Sequence, residues 1–160
     1  MKLRILSVGH KMPTWVQTGF GDYHKRILPM LSVELVNIPP AKRCKNPTAG
    51  DIHKYKSQEG NAILNARQHG EKLWLLDVKG KMLTTESLSD KLQIAMQDGN
   101  NVALVIGGAD GVSADVLAAA DFKWSLSALT LPHPLVRVLL IEQLYRAMSI
   151  IHNHPYHRGE

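Results

Sequence analysis

The chain has 160 residues, and its 19 Lys plus Arg against 14 Asp plus Glu give a formal net charge of +5. That length suits a single domain over 1–160, able to bury about two-thirds of the surface its unfolded chain exposes. The lone cysteine, Cys44, excludes an internal disulfide framework, and no apolar run approaches the roughly 18 residues of a membrane span. With no signal-peptide pattern near the start, the expected setting is reducing and cytoplasmic, and the basic balance tilts towards polyanion partners.

Lys2 to Val8 carries Leu3, Ile5, Leu6 and Val8 and reads as a strand stopped by Gly9. From Thr14 the helical spacing of Trp15, Val16, Phe20, Tyr23, Ile27 and Leu28 predicts a helix that Pro29 ends. Val33 to Ile38 is the second strand. Residues 39–47 form a basic loop with Lys42, Arg43 and Lys45 but no apolar anchor, expected to be mobile and equally suited to solvent or to phosphate. Thr48 or Gly50-Asp51 starts a second helix, running to about His69 and closed by Gly70.

Lys72 to Asp77 is nearly continuous in apolar residues, as a strand buried on both faces of a parallel sheet would be. Val78 to Lys81 reads as a turn. Thr84 or Thr85 caps a third helix lasting to Asp98-Gly99, and Val102 to Ile106 is another two-sided strand ending at Gly107-Gly108. Ser113 caps a short helix through Ala120, and Trp124 opens a short strand over Ser125, Leu126 and Ser127. Leu129 to Leu131 runs extended into Pro132, Pro134 occupies a helix's first turn, and the last helix spans Leu135 to about His152. Strands and helices alternate, which is the α/β pattern with a mostly parallel sheet.

On the last helix Val136, Leu140, Ile141, Leu144, Ala147, Met148 and Ile151 share a core face. Leu135, Leu139 and Ile150 lie opposite, beside Glu142 and Arg146, on a face apolar enough to need a covering partner. Arg137 falls among the core positions. An unpaired guanidinium is costly there, so it must reach a carboxylate, a carbonyl or a ligand. An ion pair with Asp77, Asp110 or Glu142 is preferred, with substrate contact as the alternative.

In an open α/β sheet, ligands collect at the carboxyl ends of the strands. Three ends qualify: 76–80, 106–111 and 126–131. The glycine turn is neither G-x-G-x-x-G nor a P-loop, no Cys/His spacing suits zinc, and no nucleophile elbow or carboxylate pair is present. No metal is expected. The apolar side chains and free backbone groups of 126–131 suit a flat heterocycle such as adenine.

The runs VGHKMPTWVQTGF, LDVKG, IGGADG, SLSALTLPHPLVRVLLIEQLYRA and NHPYHR, in that order along nearly the whole chain, resemble the RlmH-type large-subunit ribosomal RNA methyltransferases of the SPOUT class. The resemblance implies a parallel-sheet fold with a C-terminal trefoil knot over about 72–153, followed by a tail at 154–160. It also implies a homodimer built around the last helix. S-adenosylmethionine would lie against Leu76, Gly107 and the loop Leu126, Ser127, Ala128, Leu129, Thr130 and Leu131, and the reaction would be N3-methylation of a pseudouridine in 23S ribosomal RNA of assembled ribosomes. Tyr156, His157 and His133 are the catalytic candidates, with Arg137 and Arg158 as substrate contacts. The alternative from another class is a non-catalytic ribosome-binding or assembly module that retains the knot.

Overall fold

The computed structural model describes residues 1–158; the last two positions of the expected tail lie outside them. Five strands, β1 (Lys2–Val8), β2 (Ser32–Ile38), β3 (Lys72–Met82), β4 (Val102–Ile106) and β5 (Phe122–Ser125), form one sheet in the order β2-β1-β4-β3-β5. Every pairing is parallel. The helices are α1 (Thr14–Ile27), α2 (Ala49–Ala66), α3 (Thr85–Gln97), α4 (Ala114–Ala119) and α5 (His133–Ile151), and a 3-10 turn, Pro155–Arg158, follows.

The two-sided strands divide their side chains between two cores. Leu3, Ile5, Leu104 and Ile106 point to the layer of α1, α3 and α5, where Phe20, Leu88, Leu92, Leu140 and Leu144 are buried. Leu6, Val8, Leu73, Leu75, Ala103 and Val105 point to the other layer, where they meet Ile63 of α2 and Val116 of α4. Alternate residues of a strand face opposite ways, so a sheet covered on both faces needs apolar residues at both parities. Caps fix the helix starts: the Thr48 hydroxyl accepts from Asp51 N at 3.1 Å and Thr84 from Ser87 N at 3.0 Å, while Pro134 occupies the first turn of α5.

Three expectations need correction. The segment 78–81 is not a turn between elements but a bulge inside β3. Leu76 and Lys81 both register with Trp124 of β5, so the four intervening residues loop out and the strand resumes to Met82. A Cβ on Gly80 would lie 2.7 Å from the Lys123 carbonyl carbon and 2.7 Å from Trp124 N, so only glycine lets the two backbones close up. Second, α2 ends at Ala66 rather than near His69. Third, the basic loop 39–47 has an anchor: Ala41 is buried, and its N–H donates to the Glu59 carboxylate at 2.9 Å. Arg43 also holds Glu59, at 3.3 Å, and Cys44 N donates to the Tyr55 hydroxyl at 2.9 Å.

On the interior strand β1 Arg4 is buried, donating from Nη1 to both Glu71 carboxylate oxygens at 3.2 Å and to the Ala66 carbonyl at 3.0 Å. Glu71→Ala leaves that guanidinium with only the half-exposed Glu34, 3.8 Å from Nε, as a charge partner, so stability should fall by about 3–5 kcal/mol, measured by chemical denaturation. A loss under about 1 kcal/mol would mean that Arg4 finds solvent on its own.

Candidate active site

Where neighbouring parallel strands send their connections to opposite faces, a crevice opens at their carboxyl ends. This happens on both flanks of β4. β3 leads to α3 on one face and β4 to α4 on the other, and the cleft between their ends has a volume of about 460 Å³. Its walls include Leu76 to Lys79, Ile106, Gly107, Val112 and Leu117, closed by Ser125, Leu126, Ser127, Leu129 and Leu131. On the other flank β1 leads to α1, and a second hollow of about 500 Å³ opens among Val8 to His10, Lys42, Arg43 and Gly108. His133 lines both.

The loop 126–132 carries the chain from edge strand β5 back to β4. Ser125 Oγ donates to the Ser127 carbonyl at 3.0 Å and Ser127 Oγ accepts from Leu129 N at 3.0 Å, so the loop bends back on itself. It is not the extended continuation that its alternating residues predict. At its end the His133 Nε2 hydrogen-bonds the Gly107 carbonyl. A carbonyl only accepts, so Nε2 carries the proton and, in the neutral ring, Nδ1 keeps its lone pair. The glycine turn is equally constrained: a Cβ on Gly107 would lie 2.6 Å from Val112 Cγ1, and Gly111 has φ of +84°.

Of the expected cofactor residues, Leu76, Gly107, Leu126, Ser127, Leu129 and Leu131 line the cleft, whereas Ala128 and Thr130 are exposed and lie off it. Val78 and Lys79 of the bulge belong to the expected wall 76–80, but sequence reasoning missed Lys56, which reaches the rim from α2. No pattern in the sequence marks Lys56; only the packing of α2 against α4 brings it there.

Arg137 lies elsewhere, and none of the three expected carboxylates pairs with it. Asp110 is taken by Arg43 at 2.8 Å, Glu142 by Arg146 at 2.6 Å, and the Asp77 carboxylate accepts from Lys79 N at 3.1 Å. Arg137 Nη1 donates instead to Asn37 Oδ1 at 3.0 Å, while Nε and Nη2 are buried without a partner. Burial pushes this guanidinium below its ordinary value.

The tail packs against its own chain. Tyr156 packs its ring 4.6 Å from Tyr145 and 6.4 Å from Tyr23, with Arg146 4.7 Å above it, and its hydroxyl donates to Glu142 at 3.1 Å. His157 Nδ1 bonds the His154 carbonyl, and Arg158 is exposed. The tail and His133 stand at opposite ends of α5, whose 19 residues span roughly 28 Å. One chain therefore does not bring Tyr156 and His157 to its own cleft. Burial first, then hydrogen bonding with Tyr23 and the Glu142 charge, hold the Tyr156 phenol well above its ordinary range. It is a donor at neutral pH, not a base.

That shift gives a pH test. The unfolded phenol loses its proton around 10.0, the folded one only at higher pH. The docked tail's contribution is complete below the unfolded value and lost as pH rises through the folded one. Thermal unfolding between about pH 8 and about pH 11 should show a steeper loss in the wild type than in Tyr156→Phe. Equal slopes would mean that the ring is not held as described.

A model of the family described as predicted SPOUT methyltransferase matches residues 1–157. The chain belongs to the SPOUT methyltransferase family. It is 70% identical to the ribosomal RNA large subunit methyltransferase H of Psychrobacter sp. (strain PRwf-1), over 99% of each chain, and 58% identical to the protein of that name from Acinetobacter baumannii (strain ATCC 17978), over 99% of this chain and 100% of that one. The SPOUT fold recurs in a methylase family protein from Neisseria gonorrhoeae, which superposes with a TM-score of 0.53 at 15% identity, covering 90% of this chain and 81% of the other. Among the described residues of this SPOUT chain no cluster of His, Cys, Asp and Glu could hold a metal, and no helix is long and apolar enough to cross a membrane.

Proposed function

We propose that the protein transfers a methyl group from S-adenosylmethionine to N3 of a pseudouridine in 23S ribosomal RNA, acting in the cytoplasm on assembled ribosomes as a homodimer. The observation that carries this reading is the pair of crevices flanking β4, one walled by four leucines and one lined by His10, Lys42 and Arg43, meeting at His133. The 70% identical relative named as a ribosomal RNA methyltransferase supports the substrate class.

The cleft suits the donor. Leu76, Leu126, Leu129 and Leu131 supply flat apolar walls, and the bare Cα of Gly107 lets Val112 close in beside them. Lys56 and Asp77 on the rim offer opposite charges for the zwitterionic methionine end. Bound there, the donor supplies an electrophilic sulfonium methyl. The protein's share is to orient the acceptor in line and to accept the imide proton as the N–CH3 bond forms and the C–S bond breaks.

His133, at the junction of the two crevices and held through Nε2 by the Gly107 carbonyl, is one candidate for the base. The other is His157. Tyr156 and Arg158 would steady the target base and its phosphate. Because the tail lies a helix length from its own cleft, a second subunit must bring it into play. Trp15, Leu135 and Leu139 are exposed on α1 and α5, which pack together at Gly19 and Val138. They form an apolar surface suited to a second copy. The path of 126–133 from the edge strand back to β4 agrees with a knotted region over about 72–153.

The test is incubation of the purified protein with labelled methyl donor and either free rRNA or whole ribosomes, followed by mapping of the modified nucleotide. Label at one pseudouridine N3, greater with ribosomes, supports the reading. Binding to ribosomes with no label transferred would favour the non-catalytic module.

A further inference from the structure

Arg137 is unexplained by packing. It is 3% exposed, its Nη1 is satisfied by Asn37, and its Nε and Nη2 have no acceptor. These two donors form one edge of the guanidinium, the parallel pair that matches two oxygens of a phosphate or carboxylate. A structural arginine this deep ordinarily has a carboxylate, as Arg4 has in Glu71. Here Asp110 and Glu142 are taken by other arginines and Asp77 accepts from Lys79 N.

The residue lines a hollow of about 370 Å³ with Lys11, Met12, Val16, Gln17, Phe20, Leu35 and Asn37. Met12 also lines the basic hollow beside β4, together with His10, Lys42, Arg43 and His133. Among the described residues no Asp or Glu lines either hollow, and the nearby Asp110 and Glu59 are engaged by Arg43. The Gly9 Cα leaves the separating wall thin, since a Cβ there would come within 3.7 Å of Arg137 Nη2 and 3.3 Å of Met12 Cε. Met12 is unbranched and flexible, so its side chain can swing aside without moving backbone.

We propose that Arg137 is an oxyanion subsite for the RNA substrate, its Nε and Nη2 gripping a backbone phosphate next to the target nucleotide once Met12 moves away. The inference rests on the proposed RNA substrate but not on the donor cleft. Asn37 holds the guanidinium through Nη1 and leaves this edge buried and unpartnered beside Gly9 and Met12, and Lys11, His10 and Lys42 lead the strand towards it. A buried charge kept unpaired in the free protein destabilises it, and the substrate relieves that cost on binding.

Arg137→Met keeps the shape of the side chain and removes the charge. Expected results are an unchanged or higher melting temperature, S-adenosylmethionine binding as in the wild type, and RNA affinity at least tenfold weaker. The slope of log affinity against log salt should shrink by about 1. In the wild type, titration with inorganic phosphate should shift the Arg137 Nε–H resonance, a readout that needs no variant to fold. Unchanged RNA affinity and salt slope, or a resonance that ignores phosphate, overturns the subsite. So does a variant whose only defect is weaker self-association, which would give the pair to a partner subunit's carboxylate. Loss of donor binding in the wild type would instead sink the function proposed above.

Discussion

Gly80→Ala should weaken S-adenosylmethionine binding by at least tenfold and lower the melting temperature by roughly 5–10 °C, a stability loss of about 2–3 kcal/mol. The new Cβ would collide with backbone, 2.7 Å from Trp124 N and 2.8 Å from the Lys123 carbonyl oxygen. Backbone atoms in a paired strand cannot step aside as a side-chain tip can. Either β5 separates from β3 or the bulge 77–80 shifts, and Asp77, Val78 and Lys79 on the cleft wall move with it. Isothermal calorimetry and a thermal scan on the same sample check both effects. Gly70→Ala is the control for a glycine with positive φ but open space around it: it should cost stability and leave donor affinity intact. Wild-type affinity in Gly80→Ala would show that the bulge does not shape the cleft.

Tyr156→Phe and His157→Ala should each cut methylation at least tenfold while donor binding stays within about twofold of wild type. Phe keeps the ring against Tyr145 and loses only the hydrogen bond to Glu142, worth about 1 kcal/mol, so the fold survives. The tail stands at the far end of α5 from His133, so on the proposed reading it would act in a second subunit's cleft. Mixed dimers sharpen the point: a tail-less chain paired with a chain whose donor cleft is blocked should retain about half the activity if each tail serves the other subunit's cleft, and none if each tail serves its own. Full activity in both single variants would remove the tail from the chemistry.

The strands and helices were legible where local rules dominate. The two-sided runs at 72–77 and 102–106 could only be strands of a covered parallel sheet, and Thr48, Thr84, Ser113 and Pro134 all mark real helix starts. What failed depended on distant partners. The bulge after Leu76 exists because Lys81 re-registers on Trp124, a residue more than forty positions away, and glycine in a strand reads as a turn until that partner is known.

The same holds for the site. Arg137 was read correctly as a core position, yet its expected carboxylates are engaged by Arg43 and Arg146 or face their own backbone. Tyr156 looked unanchored because its ring partners, Tyr23 and Tyr145, belong to two different helices. The loop 39–47 looked unanchored for a like reason: Glu59, which holds Ala41 and Arg43, belongs to α2 and carries no mark of burial in the sequence. Loop 126–131 was placed correctly as a wall, but which of its side chains face the cleft depends on the serine-built bends.

The central claim is that the crevice between the ends of β3 and β4 holds the methyl donor. A crystal structure of the protein with S-adenosylmethionine tests it most directly. The account predicts the adenine between Leu126–Leu131 and the Gly107 turn, with the sulfonium methyl directed past His133 towards the basic hollow beside β1. Donor density on another face of the sheet, or a methyl group pointing away from His133, would contradict it.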